Sequence, residues 1–233
     1  MAEPSTRTMA LGLVGSPIRG GNVDLLVDRV LAGAASQGVH IEKIFLNDLT
    51  IRPCQSCGPG SHSVGPHDVG SRSVGPHDGG SHDMGSHSVG SHAGHCRIDD
   101  DMRQVHALLD AADILILGTP VYFDTVSAQM KLMIDRCNCM TPLVIQPDGT
   151  CAFAERPACR KRAVLVAVAG SRQQFRTLRV TVNGFLKWVG AELVEEVLYA
   201  HDSTTPGSVR DDAKVLEAAF RAGVRAAERP AAS

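Results

Sequence analysis

The chain has 233 residues, an ordinary apolar fraction of 43% and a formal charge of −2 at neutral pH. This length suffices for one domain with an insertion, and the near-neutral charge argues against a nucleic-acid-binding protein, which would carry a basic patch. No stretch reaches the roughly 20 apolar residues of a membrane-spanning helix, and the N-terminus lacks the pattern of a secretory signal. We therefore expect a cytoplasmic protein whose cysteines are thiols or metal ligands.

Short apolar runs alternate with amphipathic segments along the chain, as strands and crossover helices do in a parallel sheet. We predict strands at 9–15, 39–46, 113–118, 163–169 and 192–199. We predict helices at 22–36, 99–109, 127–136, 173–189 and 208–227. Asn22 is the expected N-cap of the first helix, and residues 119–125 are an expected loop. Five such strands predict an α/β fold with a doubly wound, flavodoxin-like sheet of order 2-1-3-4-5.

Residues 58–95 interrupt this pattern with a sequence rich in His, Gly and Ser. Most of this segment is a five-residue repeat such as Ser-His-Ser-Val-Gly. Such a sequence cannot bury enough apolar surface to offset the entropy of ordering it. We therefore predict one domain over residues 1–233, with 58–95 as a disordered, low-complexity insertion inside it.

The histidines of this insertion support two interpretations. Imidazoles that recur on a flexible chain can bind a divalent transition metal. Alternatively, the segment is a linker expanded by repetition, which is tolerated because the cost of loop closure grows slowly with length. The histidines concerned are His62, His67, His77, His82, His87, His92 and His95.

The loop between the first strand and the first helix has the composition of an anion-binding turn. Residues 15–22 are Gly-Ser-Pro-Ile-Arg-Gly-Gly-Asn and lead into a helix N-terminus, where free amides attract anions. The loop lacks the Lys-Ser/Thr of a P-loop and the GxGxxG of a dinucleotide fold. Ser16 and Asn22 offer hydrogen bonds and Arg19 offers charge, which suits a phosphate monoester such as that of FMN. The alternative is an ordinary turn without a ligand.

The loop after the third strand carries residues suited to a flat ring. Pro120 fixes the local backbone. Val121, Tyr122 and Phe123 offer amides and an apolar wall, which a flavin needs because the protein must orient it and tune its electronics. The alternative is that these residues only pack the top of the sheet.

Four segments together carry a resemblance to a known family. GSPIRGGNVDLL, IRPCQSC, CRIDDDM and GTPVYFDTVSAQMKLMIDR resemble the NADPH-dependent FMN reductase and iron–sulfur flavoprotein family, from about Met9 to Tyr199. The resemblance implies a flavodoxin-like fold, bound FMN and NAD(P)H as electron donor. It also implies a homodimer or homotetramer in which a neighbour helps to close the flavin site.

The resemblance also assigns residues to the cofactor. By position, the FMN phosphate would meet Ser16, Arg19, Gly21 and Asn22, and the ring would meet Pro120, Val121, Tyr122 and Phe123, bordered by Gly170. The chain departs from the family at Ile18 and Val23, where relatives often have Arg and Thr. The loop after the fourth strand also has fewer glycines than in the reductases.

The cysteines place a metal-binding motif beside the insertion. Cys54 and Cys57 form Cys-x-x-Cys after the second strand, and Cys96 follows the insertion. Relatives have four cysteines here, the number that a [4Fe–4S] cluster usually needs, but Gly60 stands at the third position. The candidates for a substitute ligand are His62, Cys137 and Cys139. The alternative is a set of thiols that are inert or bind zinc, which accepts mixed Cys and His ligands.

These observations leave three functional hypotheses. The first is an oxidoreductase that passes electrons from NAD(P)H through FMN to a quinone, a flavin, another small acceptor or an electron-carrier protein. It names no catalytic side chain, because the flavin carries the chemistry. The second is an iron–sulfur flavoprotein that carries electrons. The third is a non-enzymatic metal-binding protein that uses the His repeats with Cys54, Cys57 and Cys96.

Overall fold

The computed structural model describes residues 8–55, 96, 98–141, 143–145, 148, 150–153 and 159–228. The predicted insertion at 58–95 lies outside these residues. In chain order the elements are β1 (Met9–Val14), α1 (Asn22–Ala35), β2 (His40–Phe45), α2 (Met102–Ala111), β3 (Ile114–Pro120), α3 (Ala128–Arg136), β4 (Leu143–Ile145), β5 (Cys151–Phe153), β6 (Lys161–Ala169), α4 (Arg176–Trp188), β7 (Ala191–Ala200) and α5 (Ala213–Ala227). Short 3-10 helices lie at Leu46–Asp48, Cys137–Met140 and Ser208–Asp211.

Five of these strands form one parallel sheet in the order β2-β1-β3-β6-β7. The strands β4 and β5 form a separate antiparallel hairpin, so the main sheet has the predicted order 2-1-3-4-5 and the flavodoxin-like fold is confirmed. The direction in which strands are added reverses between β1 and β3. In doubly wound sheets, ligands bind in the crevice beyond the carboxyl ends of the strands at this point.

Helices cover both faces of the sheet, and strand side chains alternate between two apolar layers. Along β3, Leu115 and Leu117 enter the layer formed with α2, α3 and α4. Ile114 and Ile116 enter the layer formed with α1 and α5. Burial on both faces explains why the central strands are continuous apolar runs.

Two glycines allow α1 to pack at close range. A Cβ at Gly118 of β3 would lie 2.3 Å from Val27 Cγ2, and a Cβ at Gly33 would lie 2.0 Å from the backbone oxygen of Phe220 in α5. Both distances are too short for real side chains, so hydrogen at these positions lets α1 approach the sheet and α5. This packing fixes the N-terminus of α1 at the carboxyl edge of the sheet.

The third strand is longer than the sequence predicted. Thr119 and Pro120, expected in a loop, pair with Ala167 and Val168 of β6. Proline lacks an N–H, but it is the last residue of β3, so no interior hydrogen bond of the ladder is lost. Pro120, the first of the residues predicted to contact the flavin ring, therefore lies on the sheet itself, which limits the movement of the loop that follows it.

Two helix starts also differ from the prediction. α1 begins at Asn22 with Gly21 as its N-cap, so Asn22 is not the cap. α4 begins at Arg176 instead of near Gln173, because Gln173 closes a turn with Gly170. In this turn the Gln173 amide donates to the Gly170 carbonyl at 3.0 Å, and the Gly170 amide donates to Gln173 Oε1 at 3.0 Å.

The β4–β5 hairpin was not predicted, although the sequence contains a signal for it. Pro147-Asp148-Gly149 separates two apolar runs, and such a triplet is typical of a hairpin turn. Asp148 Oδ1 accepts hydrogen bonds from the amide and the hydroxyl of Thr150, at 2.9 and 2.7 Å.

Candidate functional site

The loop after β1 is joined directly to the end of β3. The Gly15 amide donates to the Gly118 carbonyl at 2.7 Å, and the buried Ser127 hydroxyl donates to the Gly15 carbonyl at 2.7 Å. A Cβ at Gly15 would lie 2.8 Å from Ser127 Oγ, so glycine is needed for this approach. Ser127 also caps α3 by accepting from the Met130 amide at 3.3 Å. The first and second loops of the predicted site are thus fixed to each other.

The interior of the first loop is held by its own polar groups. Ser16 is buried, and its Oγ accepts from the Ile18 amide at 3.2 Å. Gly20 has φ +68°, a left-handed conformation that favours glycine. Its amide donates to Asp24 Oδ2 at 2.7 Å, and Asp24 also forms an ion pair with Lys43 at 2.8 Å. The loop therefore has a defined shape.

The N-terminus of α1 has the features of an anion-binding site. Its cap residue, Gly21, offers no side-chain acceptor to the first-turn amides, which have no partners within the helix. The positive end of the helix dipole lies at the same place. A phosphate group can therefore be bound there by backbone N–H groups.

Asn22 joins this helix start to the chain segment that precedes α5. Its Oδ1 accepts from the Val209 amide at 2.9 Å. Its Nδ2 donates to Ser208 Oγ at 3.3 Å and lies 2.8 Å from His201 Nε2. The side chain predicted to bind phosphate thus has three protein partners, and its backbone amide is the group left for an anion.

The Arg19 side chain contacts the end of β2 and the 3-10 helix that follows it. The guanidinium pairs with Asp48 and lies 3.9 Å from the centroid of the Phe45 ring. Its side chain is 63% exposed. Exposed ion pairs contribute little free energy, so this contact does not hold Arg19 firmly.

The second loop presents aromatic side chains from a tight turn. The buried Val121 donates its amide to the Val168 carbonyl at 2.7 Å. Tyr122 and Thr125 exchange two backbone hydrogen bonds, each of 3.1 Å. Between them, Phe123 and Asp124 have φ of 51° and 59°, an uncommon conformation for residues other than glycine. As a result Tyr122 is half-exposed and Phe123 is 96% exposed.

The third loop, after β6, is linked to the second. The Gln174 amide donates to Asp124 Oδ1 at 2.7 Å, which supports the left-handed residue of the second loop. Gly170 is exposed at the start of the third loop. The Ser171 amide donates to Asp202 Oδ1 at 3.2 Å, and hydrogen bonds from Ser171 lower the pKa of Asp202. The three loops therefore form one connected surface.

His201 was not predicted as a site residue, yet it contacts Asn22 at the start of α1 and Ala169 at the end of β6. Its amide donates to the Ala169 carbonyl at 3.0 Å, and its ring stacks on Tyr199 at 5.1 Å. Since Asn22 Oδ1 accepts from Val209, Asn22 Nδ2 must donate to His201 Nε2. The proton is then on Nδ1, which is buried without a hydrogen-bond partner among the described residues. The position of His201 directly after a predicted strand was the available sequence signal.

The predicted metal ligands are only partly described. Cys57 lies outside the described residues, and Cys54 is exposed. Cys96 is half-buried, and its sulfur accepts from Arg136 Nε at 3.3 Å and from Nη2 at 3.1 Å. The thiol of Cys139, which was a candidate substitute ligand, donates to the Arg136 carbonyl at 3.4 Å, and its sulfur lies 3.9 Å from His106 Nε2.

Arg136 is buried with an ionic partner. Its guanidinium donates to both carboxylate oxygens of Asp100, at 2.6 and 3.0 Å, and to the Arg52 carbonyl at 2.8 Å. Burial acts to raise the pKa of Asp100, but hydrogen bonds from Arg136 and from the amides of Arg52 and Met102 outweigh it and lower this pKa to about 2. The pair is therefore ionised at neutral pH.

Burial is the main cause of the raised pKa values of the other two described thiols in this region, Cys137 and Cys139. Burial and the neighbouring Cys96 sulfur raise the pKa of Cys139 to about 12, and burial raises the pKa of Cys137 well above its usual value. Within the described ranges no group of three or more His, Cys, Asp or Glu side chains is arranged to hold a metal ion. Two of the predicted ligands, Cys57 and His62, lie outside these ranges, so the described residues do not test the predicted cluster or zinc site.

Among the residues that the structure describes, no helix has the length and apolar character to cross a membrane.

Known proteins are similar to this chain in sequence and in fold. A protein-family model described as NADPH-dependent FMN reductase matches residues 8–205. An iron–sulfur flavoprotein of Methanocaldococcus jannaschii is 30% identical over 225 residues, which cover 94% of this chain and 95% of that protein.

Solved structures with low sequence identity share the fold. An NAD(P)H:quinone oxidoreductase from Methanothermobacter marburgensis has a TM-score of 0.62 and 16% identity, and the match covers 97% of this chain and 100% of that one. A flavone reductase has a TM-score of 0.59 and 16% identity, and the match covers 94% of this chain but 62% of that one. This chain thus spans less than two thirds of the flavone reductase.

Proposed function

The chain belongs to the NADPH-dependent FMN reductase family, and on this premise we propose that it passes electrons from NAD(P)H through FMN to a quinone, a free flavin or another small acceptor. Membership makes the chain an oxidoreductase with FMN as its cofactor. The resemblance inferred from the four sequence segments is thereby confirmed.

The observation that carries this proposal is the connection of the three loops at the carboxyl edge of the sheet. The first is joined to the second by the Gly15–Gly118 hydrogen bond, and the second to the third by the Asp124–Gln174 hydrogen bond. A surface fixed in this way costs little reorganisation when a cofactor binds. It lies at the switch point of the sheet, where ligands bind in this fold.

The residues fit the two ends of FMN. The uncapped first turn of α1 suits the phosphate, and the partly exposed, apolar second loop suits the ring. We assign Asn22 to the phosphate through its amide, and Arg19 through a guanidinium that exchanges Asp48 for the phosphate. The proposed FMN-binding residues are Ser16, Arg19, Gly21, Asn22, Pro120, Val121, Tyr122, Phe123 and Gly170.

When bound, FMN supplies the two-electron exchange between donor and acceptor. The chain's own residues orient it: Val121 is buried and hydrogen-bonded to the sheet, so it fixes the second loop. Tyr122 and Phe123 present apolar surface beside the ring position. This surface favours a flat apolar acceptor such as a quinone, and few acid or base groups are needed from the protein because the flavin carries the chemistry.

We also propose that the protein is a cytoplasmic homodimer or homotetramer in which a neighbour helps to close the site. Phe123 is 96% exposed and Ile18, in the first loop, is 49% exposed. Large apolar side chains exposed together at a cofactor site are typical of a surface that another subunit covers.

The first test is the visible spectrum of protein purified without a His tag. We expect the bands of oxidised flavin, release of FMN on denaturation and bleaching by NADPH, followed by reoxidation with benzoquinone. Iron and sulfide are measured on the same sample. A colourless protein that also fails to take up FMN would contradict the proposal, and iron with sulfide would favour the electron-carrier hypothesis.

A second test addresses the ring position. Tyr122→Ala removes half-exposed aromatic surface, and aromatic contacts are worth about 0.5–1.5 kcal/mol. We therefore expect the Kd for FMN, measured by quenching of flavin fluorescence, to rise about 2- to 13-fold. Val180→Ala is the control, because Val180 is 70% exposed on α4. Equal Kd values for both variants would remove Tyr122 from the site.

A further inference from the structure

The chain segment that precedes α5 packs directly on the first loop of the site and on the start of α1. Asn22 Nδ2 donates to Ser208 Oγ at 3.3 Å, and Asn22 Oδ1 accepts from the Val209 amide at 2.9 Å. A Cβ at Gly207 would lie 2.6 Å from the Gly20 carbonyl oxygen, so these two glycines are in close contact. The segment is therefore fixed to the predicted phosphate site at two points, Gly20 and Asn22.

This segment brings the guanidinium of Arg210 to the first loop. Arg210 Nη1 donates to the Gly207 carbonyl at 3.4 Å. Its Nη2 lies 3.5 Å from the position that a Cβ would take at Gly20. Because Gly20 has no side chain, nothing of that residue separates the guanidinium from the loop backbone. Two positions further along the chain, α1 begins with the uncapped first turn that suits a phosphate.

The positive charge of Arg210 is available to an anion. The residue is exposed, and within the described part of the chain its side chain bonds to a carbonyl group and to no carboxylate. Arg19, by contrast, is paired with Asp48 and lies over the Phe45 ring. A phosphate must therefore displace a carboxylate to engage Arg19, whereas Arg210 can bind it without the loss of an ion pair.

We propose that Arg210 binds the phosphate group of FMN through its guanidinium, together with the first-turn amides of α1. This inference rests on the proposed function, because it names a further binding residue for the same cofactor. A guanidinium donates two parallel hydrogen bonds to a phosphate, and such charge-assisted bonds are stronger than those from neutral donors. The match to the family model ends at residue 205, so that match assigns no role to Arg210.

A role at the phosphate makes Arg210 a determinant of specificity between two flavins. FMN and riboflavin have the same ring, but riboflavin lacks the phosphate. The guanidinium should therefore contribute to the affinity for FMN and leave the affinity for riboflavin unchanged. A residue that only holds the fold of the segment before α5 would affect both flavins, so the comparison separates a binding role from a structural one.

The experiment measures the Kd of FMN and of riboflavin by quenching of flavin fluorescence, with full-length, untagged protein after removal of bound flavin. Arg210→Gln removes the charge and keeps much of the side-chain length. We expect its Kd for FMN to rise at least about 10-fold and its Kd for riboflavin to stay at the wild-type value. Arg210→Lys keeps the charge but loses the paired donors, so its Kd for FMN should lie between those of the wild type and Arg210→Gln.

The matched control is Arg160→Gln, because Arg160 is also exposed but precedes β6, at the opposite edge of the sheet. High salt screens exposed charges, so the difference in FMN affinity between the wild type and Arg210→Gln should shrink as NaCl is added. The proposal is overturned if Arg210→Gln binds FMN as tightly as Arg160→Gln, or if it loses affinity for FMN and riboflavin equally. A wild-type protein that binds neither flavin would contradict the proposed function itself, and with it the role of Arg210.

Discussion

At the residue scale, Asn22 connects three parts of the chain through one buried side chain. Replacement by alanine removes the acceptor of the Val209 amide and the donor to His201 and Ser208. A buried amide without an acceptor costs about 1–3 kcal/mol. We therefore expect Asn22→Ala to lower the free energy of unfolding in urea by this amount and to weaken FMN binding.

The matched control for this change is an exposed asparagine. Asn47 is exposed, and its Oδ1 accepts from Gln129 at 3.2 Å. Surface changes of this kind usually alter stability by less than about 0.5 kcal/mol. If Asn22→Ala were as stable as Asn47→Ala, the hydrogen bonds of Asn22 would not be holding the first turn of α1.

The ionisation of Asp100 makes the free energy of unfolding depend on pH in the acidic range. Its pKa in the folded protein is about 2, below the ordinary value of 3.8. A depressed pKa stabilises the folded state fully above about pH 4, and this contribution of about 2 kcal/mol is lost as the pH falls toward 2. We expect Asp100→Asn to remove this part of the acid dependence in urea unfolding measured between pH 5 and pH 3.

The same substitution has a larger effect at neutral pH. Asp100→Asn leaves the buried charge of Arg136 unpaired, which costs about 3–5 kcal/mol. Asp99→Asn is the control, because its side chain is 82% exposed. Similar unfolding curves for Asp99→Asn and Asp100→Asn at pH 7 would show that the Asp100–Arg136 pair does not stabilise the fold.

The sequence predicted site residues where a local pattern identified them. Ser16 and the run from Pro120 to Phe123 follow strands directly, so their place at the carboxyl edge could be inferred. The contact between Asn22 and His201 could not be inferred in this way, because the two residues are 179 positions apart in the sequence. The side-chain direction of Arg19 was also unavailable, since Phe45 and Asp48 reach it only in the folded chain.

At the element scale, the contact between α1 and α5 depends on a glycine. Gly33→Ala would place a Cβ 2.0 Å from the Phe220 backbone oxygen, and overpacking of this kind costs about 1–3 kcal/mol. Gly184, in α4, has no atom within 4 Å of an added Cβ. Gly184→Ala should therefore stabilise the protein by about 0.5–1 kcal/mol through helix propensity.

Both changes add the same methyl group to a helix, so their difference isolates the interhelical contact. Urea unfolding of the two variants measures it. We expect the free energy of unfolding to fall in Gly33→Ala and to rise in Gly184→Ala. Equal stabilisation by both would mean that α1 and α5 can separate without cost.

The order of the elements could be predicted because strands buried on both faces form continuous apolar runs. Element ends were predicted less well, since tertiary contacts decide them. β3 extends to Pro120 because Thr119 and Pro120 pair with β6. The C-terminal helix predicted from Ser208 is divided at Asp212, whose carboxylate accepts from the Val215 amide at 3.1 Å and so caps α5.

At the scale of the whole molecule, α3 separates two regions with different chemistry. Ser127, its N-cap, donates to the Gly15 carbonyl of the first loop, and Arg136, its last residue, forms the buried ion pair with Asp100. A rigid helix between them keeps each geometry independent of the other. Changes at the Asp100–Arg136 pair should therefore leave FMN binding unaltered unless the whole helix moves.

The exposed aromatic side chain of the second loop provides the test of assembly. Phe123 is 96% exposed in a turn whose left-handed residues hold it outward, and burying such a side chain is worth about 1.5–3 kcal/mol. If a second subunit covers it, Phe123→Ser should weaken self-association at least 10-fold in sedimentation equilibrium and raise the Kd for FMN in parallel. Val180→Ser, equally apolar and 70% exposed on α4, should change neither quantity. A Phe123→Ser protein that keeps its assembly but loses FMN would place the aromatic ring on the cofactor of its own subunit and not on a neighbour.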